Sequence, residues 1–143
     1  MVAGLRRRDD WRARLAAEMD RQRREPFVWG KHDCAIGFVA GIVEAITGAD
    51  LARGYRGRYR GAAGAAKLLK SEGVETLGDL AARHLPECHP AFARIGDIGV
   101  IAADGPGDEA FCMVDASHLV VMTEQGHGHR PRADMIRAFR VGE

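Results

Sequence analysis

The chain predicts an α+β domain in which helices come first and an antiparallel sheet follows. Three observations carry that prediction. Residues 35–46 are small and apolar with Glu44 as the single charge, which marks a buried helix. Ahead of them, Trp11, Leu15, Ala16 and Met19 recur at helical spacing among arginines. Beyond Ile95 the apolar runs shorten and are separated by Gly-rich or polar turns, the pattern of short strands. Helices and strands segregated along the chain define the class.

The elements follow in order. Asp9 or Asp10 is placed to cap a first helix that reaches Arg24, and Pro26 stops it. An extended segment then leads to Asp33, read as the N-cap of a central helix over residues 34–47 that Gly48 closes. Ile36, Phe38, Val39, Ile42, Val43 and Ile46 surround that helix, and Gly37 and Gly41 leave room for a neighbour to approach. Residues 54–61 have no apolar period and three glycines, so they read as a loop. Residues 62–71 form a short helix ended by Gly73, and Thr76 caps another reaching His84. Residues 86–90 are a turn-rich connection, and strands are expected over 98–101, 111–114, 118–122 and 136–141.

The totals narrow the function. A chain of 143 residues suits one domain. A formal net charge of +1 argues against a general polyanion binder, so no nucleic-acid partner is expected. Three cysteines, Cys34, Cys88 and Cys112, are an odd number at wide spacing and do not read as a disulfide framework. The longest apolar stretch is too short to cross a bilayer, and no signal peptide is visible. The chain therefore reads as made in the cytoplasm.

The stretch Phe27-Val28-Trp29-Gly30-Lys31-His32-Asp33-Cys34 has the composition of a nucleophile site. A thiol at a helix N-terminus is shifted toward thiolate, because the helix end stabilises negative charge. The same residues serve a buried structural cysteine in a capped turn, and Trp29, Gly30 and Asp33 build that turn either way.

This stretch resembles the aromatic-x-Trp-Gly-x-x-Asp-Cys signature of NlpC/P60-type, papain-like cysteine peptidases. Ile95-Gly96-Asp97-Ile98-Gly99-Val100-Ile101 is similar to their first, Gly-Asp-led sheet strand. The layout from Trp11 to Val141 resembles small NlpC/P60-like proteins encoded with phage tail genes, including the family catalogued as DUF6950. Three features carry that likeness: the Arg-rich first helix, the Tyr-Arg-Gly-Arg-Tyr segment and the closing Arg-Ala-Phe-Arg-Val. The resemblance implies a papain-like fold with a central helix on a small antiparallel sheet. It implies a Cys34 nucleophile, Trp29 and Asp33 near the oxyanion, and a histidine base opening the strand after the Gly-Asp strand.

Two registers place that base. If residues 111–114 are the strand in question, the histidine position falls at Ala110 and is empty. If residues 118–122 are, His118 is the base and His129 or His127 orients it.

The corresponding functions are a tail-tip or hub protein of a phage virion that cleaves peptidoglycan peptides during DNA entry, or a catalytically inactive structural component that binds other tail proteins. Tyr55, Arg56, Arg58 and Tyr59 are the candidate partner-binding residues, since Tyr and Arg combine contact area with bidentate hydrogen bonding. The arginines of the first helix read as a solvated face or a docking surface. No metal and no cofactor are expected. Cys88-His89 with Cys112 and His127-Gly128-His129 lack ligand spacing, and Asp104, Asp108 and Glu109 read as a solvated loop.

Overall fold

The computed structural model describes residues 4–143. Four helices precede a six-stranded sheet: α1 Trp11–Arg23, α2 Val39–Thr47, α3 Ala62–Ser71 and α4 Leu77–Ala82. The strands are β1 Glu87–Cys88, β2 Ile98–Ala102, β3 Glu109–Val114, β4 Leu119–Thr123, β5 Gly126–Arg130 and β6 Met135–Phe139. They lie in the order β1-β6-β2-β3-β4-β5, every neighbouring pair antiparallel. The expected α+β class is therefore what the chain adopts.

The central helix is shorter than the sequence predicts. It begins at Val39 rather than residue 34, although Gly48 closes it as expected, with φ +87° at its left-handed C-cap. Phe38, Ile42 and Ile46 are fully enclosed between α1 and the sheet. Each contributes about 1.5–3 kcal/mol by burial. Gly41 faces Glu18 and Gln22 of α1, so the close approach expected at this glycine occurs there.

At the other helices the local signals work in different ways. Thr76 caps α4 by accepting from the Asp79 amide at 3.0 Å. Asp10 sits at the N-cap of α1, but its carboxylate takes the Arg14 guanidinium instead of a backbone amide. Leu15, Met19 and Gln22 form the buried stripe of α1.

Two strands are missing from the sequence reading. Residues 126–130, where no strand is expected, are the edge strand β5, paired with β4 from Leu119↔Arg130 to Thr123↔Gly126. Glu87 and Cys88, read as connection, pair with Phe139 and Ala138. Glycine and histidine carry little strand propensity, so β5 exists because β4 supplies a register for it. Alternate residues of β2, β3 and β4 point to opposite faces. One set packs against the helices. The other, including Ile101, Cys112, Val114, Leu119 and Val121, forms a second cluster with Ala93.

Candidate functional site

Residues 28–40 fold into a sequence of turns that one carboxylate organises. Asp33 is 1% exposed and accepts four hydrogen bonds. Its Oδ1 takes the Ala35 and Ile36 amides at 3.0 and 2.7 Å, and its Oδ2 takes the Gly30 amide at 2.9 Å and the Tyr59 hydroxyl at 2.5 Å. Burial and the Asp33 charge raise the Tyr59 hydroxyl above its ordinary range, so Tyr59 remains a donor. Gly30 has φ +79° and lies against the Tyr59 carbonyl, where a side chain would not fit.

Asp33 does not cap α2. The Phe38, Val39 and Ala40 amides bond to the Asp33, Cys34 and Ala35 carbonyls at 3.2, 3.3 and 3.2 Å, each bond spanning five residues. Residues 33–40 are thus a wide, π-type turn, a geometry often found at functional sites. Cys34 lies within it, a turn before α2. The thiol is consequently not seated on the helix N-terminus, and the expected charge stabilisation is missing.

Cys34 is half-buried and lines a cleft of about 210 Å³. Phe27 and Trp29, edge to face at 5.2 Å between centroids, form one wall with Tyr59. The start of β3 and the end of β4 supply Glu109, Ala110, Met122 and Thr123, and the flanking turns add Asp104 and Glu124. Among the described residues, no histidine, lysine or arginine lines this cleft. Burial pushes the Cys34 thiol up to about 12, the nearby Asp33 charge adds to that, and the Phe111 backbone N–H beside the sulfur opposes it only in part. The thiol is protonated at neutral pH.

The expected base lies elsewhere. β3 is the strand that follows and pairs with β2, and Ala110 is near its start, beside Cys34. His118 precedes β4 at the end opposite Thr123, roughly 16 Å along the strand at 3.3 Å per residue. Its ring packs against His129, tilted by 46° at 4.2 Å between centroids, and its Nε2 is 3.7 Å from Asp115. The structure therefore brings His118 and His129 together but not with Cys34. His127, opposite Met122, is bound through Nε2 to Gln22 of α1 at 2.9 Å, with its ring against Phe38. His32 is buried with its Nε2 unpartnered.

Of the four candidate partner-binding residues, Arg56 and Arg58 are exposed and Tyr55 is half-buried, while Tyr59 is turned inward. Tyr59 is 8% exposed and its hydroxyl is committed to Asp33, so it offers no contact surface to a partner. The Tyr55 hydroxyl shares a hydrogen bond with His84 Nε2 at 3.1 Å, Arg56 pairs with Asp50, and Arg58 donates to the Gly54 carbonyl. Sequence reasoning missed Gln22. It continues the spacing of Leu15 and Met19, and a polar residue on an apolar stripe is the signal that marks it. Among the described residues no group of three or more His, Cys, Asp and Glu side chains is arranged to hold a metal. Among the described residues no helix is long and apolar enough to cross a membrane.

Fold and site together define a mixed α+β domain with a cleft that holds a neutral cysteine among carboxylates and aromatics. The chain belongs to the family described as "Domain of unknown function (DUF6950)", which matches residues 6–141. No curated protein and no solved structure matches it.

Proposed function

We propose that the chain is a papain-like, NlpC/P60-type domain of a phage or phage-derived tail, working at the tail tip or hub as a structural component rather than as a hydrolase. The NlpC/P60 and tail assignments draw on the Phe27-to-Cys34 and Gly96-Asp97 motifs and on the likeness of layout. The non-hydrolytic part draws on one observation: Ala110 stands beside Cys34 where the base is needed, in a cleft without an imidazole. A cysteine nucleophile must lose its proton before it attacks, and here burial and the Asp33 carboxylate hold the proton on.

The test is digestion of purified peptidoglycan, with amine release measured for the wild type and Cys34→Ala. Equal, background release from both is expected, with iodoacetamide alkylating Cys34 at neutral pH more slowly than it alkylates free cysteine. Release by the wild type that disappears in Cys34→Ala restores the peptidase reading, in which the chain cleaves peptidoglycan peptides during DNA entry.

A further inference from the structure

The arginines at the start of the chain are not all solvated. Arg7 is buried against Asp97 at 2.9 Å and also donates to the Ile95 and Val141 carbonyls at 2.8 and 3.0 Å. Its guanidinium lies 4.3 Å from the centre of the Trp11 ring, and that of Arg12 lies 4.5 Å from the same ring. This fixed indole forms part of a groove of about 630 Å³ between α1 and the connection before β2.

Three further arginines line the groove. Arg8, Arg12 and Arg94 are exposed and, among the described residues, none makes an ion pair with a carboxylate. Elsewhere on α1 the pattern differs: Arg14, Arg21 and Arg23 are paired with Asp10, Glu18 and Asp20. Among the described residues the acids lining the groove are Asp9 and Glu143, and with Arg7 already paired to Asp97 the three unpaired guanidiniums outnumber them. Its apolar content is Trp11 and Ile95, the latter 40% exposed; Phe92, three residues earlier on the same connection, is 69% exposed. Large apolar side chains left in water beside unpaired arginines have the composition of a protein-binding hot spot.

We propose that this groove is a docking surface for an acidic segment of another protein, with an apolar side chain set against Trp11 and Ile95 and flanking carboxylates on Arg8, Arg12 and Arg94. The cations surround an apolar centre rather than tracking a line of phosphates, which is the anatomy of a protein interface. Arg7 is held by three bonds before any partner arrives, so the indole beneath it is pre-organised and less entropy is lost on binding. The surface is a contact for the structural reading above separate from the Tyr55-to-Tyr59 loop, in which Tyr59 is buried. It rests on that reading only for the identity of the partner as a tail protein.

The experiment is fluorescence anisotropy on the full chain with a short labelled peptide in which Glu and Asp flank a central Leu. Its counterpart with Lys in place of the acids and a labelled DNA duplex are the comparisons. Saturable binding of the acidic peptide is expected, weakened about tenfold in the Arg12→Glu/Arg94→Glu double variant and progressively weakened by salt. The Lys peptide should not bind. Both substitutions are at exposed side chains, and an unchanged melting temperature shows that the variant is folded. The proposal is overturned if the acidic peptide does not bind, if the double variant binds it as well as the wild type does, or if the duplex binds as tightly. Peptidoglycan cleavage lost in Cys34→Ala would instead remove the structural reading and leave the groove intact.

Discussion

At the residue scale, Asp33 does more for this chain than Cys34. The carboxylate holds three amides and a tyrosine hydroxyl, so the turn around the cysteine is fixed without any contribution from the thiol. Removing the Tyr59 hydroxyl leaves a buried carboxylate oxygen short of a donor. Tyr59→Phe is expected to cost about 1–3 kcal/mol in chemical denaturation, more than an ordinary hydrogen bond because the unpaired partner stays buried. An unchanged midpoint would show that water reaches Asp33 and that the four-fold capping is not what holds the turn. Asp33 was legible as a cap, since an Asp before an apolar run signals one. What it caps was not. A helix N-terminus and a π-type turn use the same residue types, and the choice is made by Tyr59, twenty-six positions away in the chain.

At the scale of elements, α1, the turn at residues 32–37 and β5 are joined through polar groups inside an apolar setting. Gln22 donates to the Gly37 and Phe38 carbonyls at 2.9 and 3.1 Å and accepts from His127. His32 and His127 each keep one buried nitrogen without a partner. Burial is the leading cause that lowers both imidazoles below their ordinary value; Arg21 adds to it at His32, and Arg23, His32 and His129 add to it at His127. Glu18, Glu25 and Asp33 oppose the shift at His32, and Glu18 opposes it at His127.

A histidine with a depressed folded-state value is neutral when folded and takes up its proton more readily when unfolded, so acid favours unfolding. Stability is full above the unfolded value of about 6.5 and falls as the pH drops through the lower folded values. Melting temperatures measured from pH 7.5 to 5 should decline, and His127→Gln should flatten the decline by removing one of the titrating groups. A wild-type melting temperature that is constant or rises over that range contradicts the assignment. β5 itself was hidden from sequence reasoning because its residues have no alternating apolar pattern.

For the molecule as a whole, the ends of the described chain are tied to its centre. The Arg7 amide donates to the Glu143 carbonyl and the Glu143 amide to the Leu5 carbonyl, at 3.4 and 3.1 Å. Asp97, fully buried at the start of β2, accepts from the Arg7 guanidinium and the Val141 amide through Oδ1 and from the Arg94 amide through Oδ2. Asp97→Ala leaves the Arg7 guanidinium buried without its partner. The expected loss is about 3–5 kcal/mol in urea unfolding, with the docking groove disrupted at the same time. A loss below about 1 kcal/mol would mean that the pair is hydrated and does not join the ends.

By itself the sequence determined the class of fold, the order of helices and strands and most of their positions. Those rest on local causes: apolar spacing, glycine at the end of α2 and Thr76 as the cap of α4. Tertiary structure alone decided whether the chemistry-bearing residues meet. Cys34 and His118 are both present, but strand register sets the cleft beside Ala110 and carries His118 to the far end of β4, next to His129. Likewise, Tyr59 turns inward to Asp33 while Arg12 and Arg94 remain without carboxylate partners around Trp11. Such placements depend on contacts between residues far apart in the chain, and spacing along one element carries no record of them.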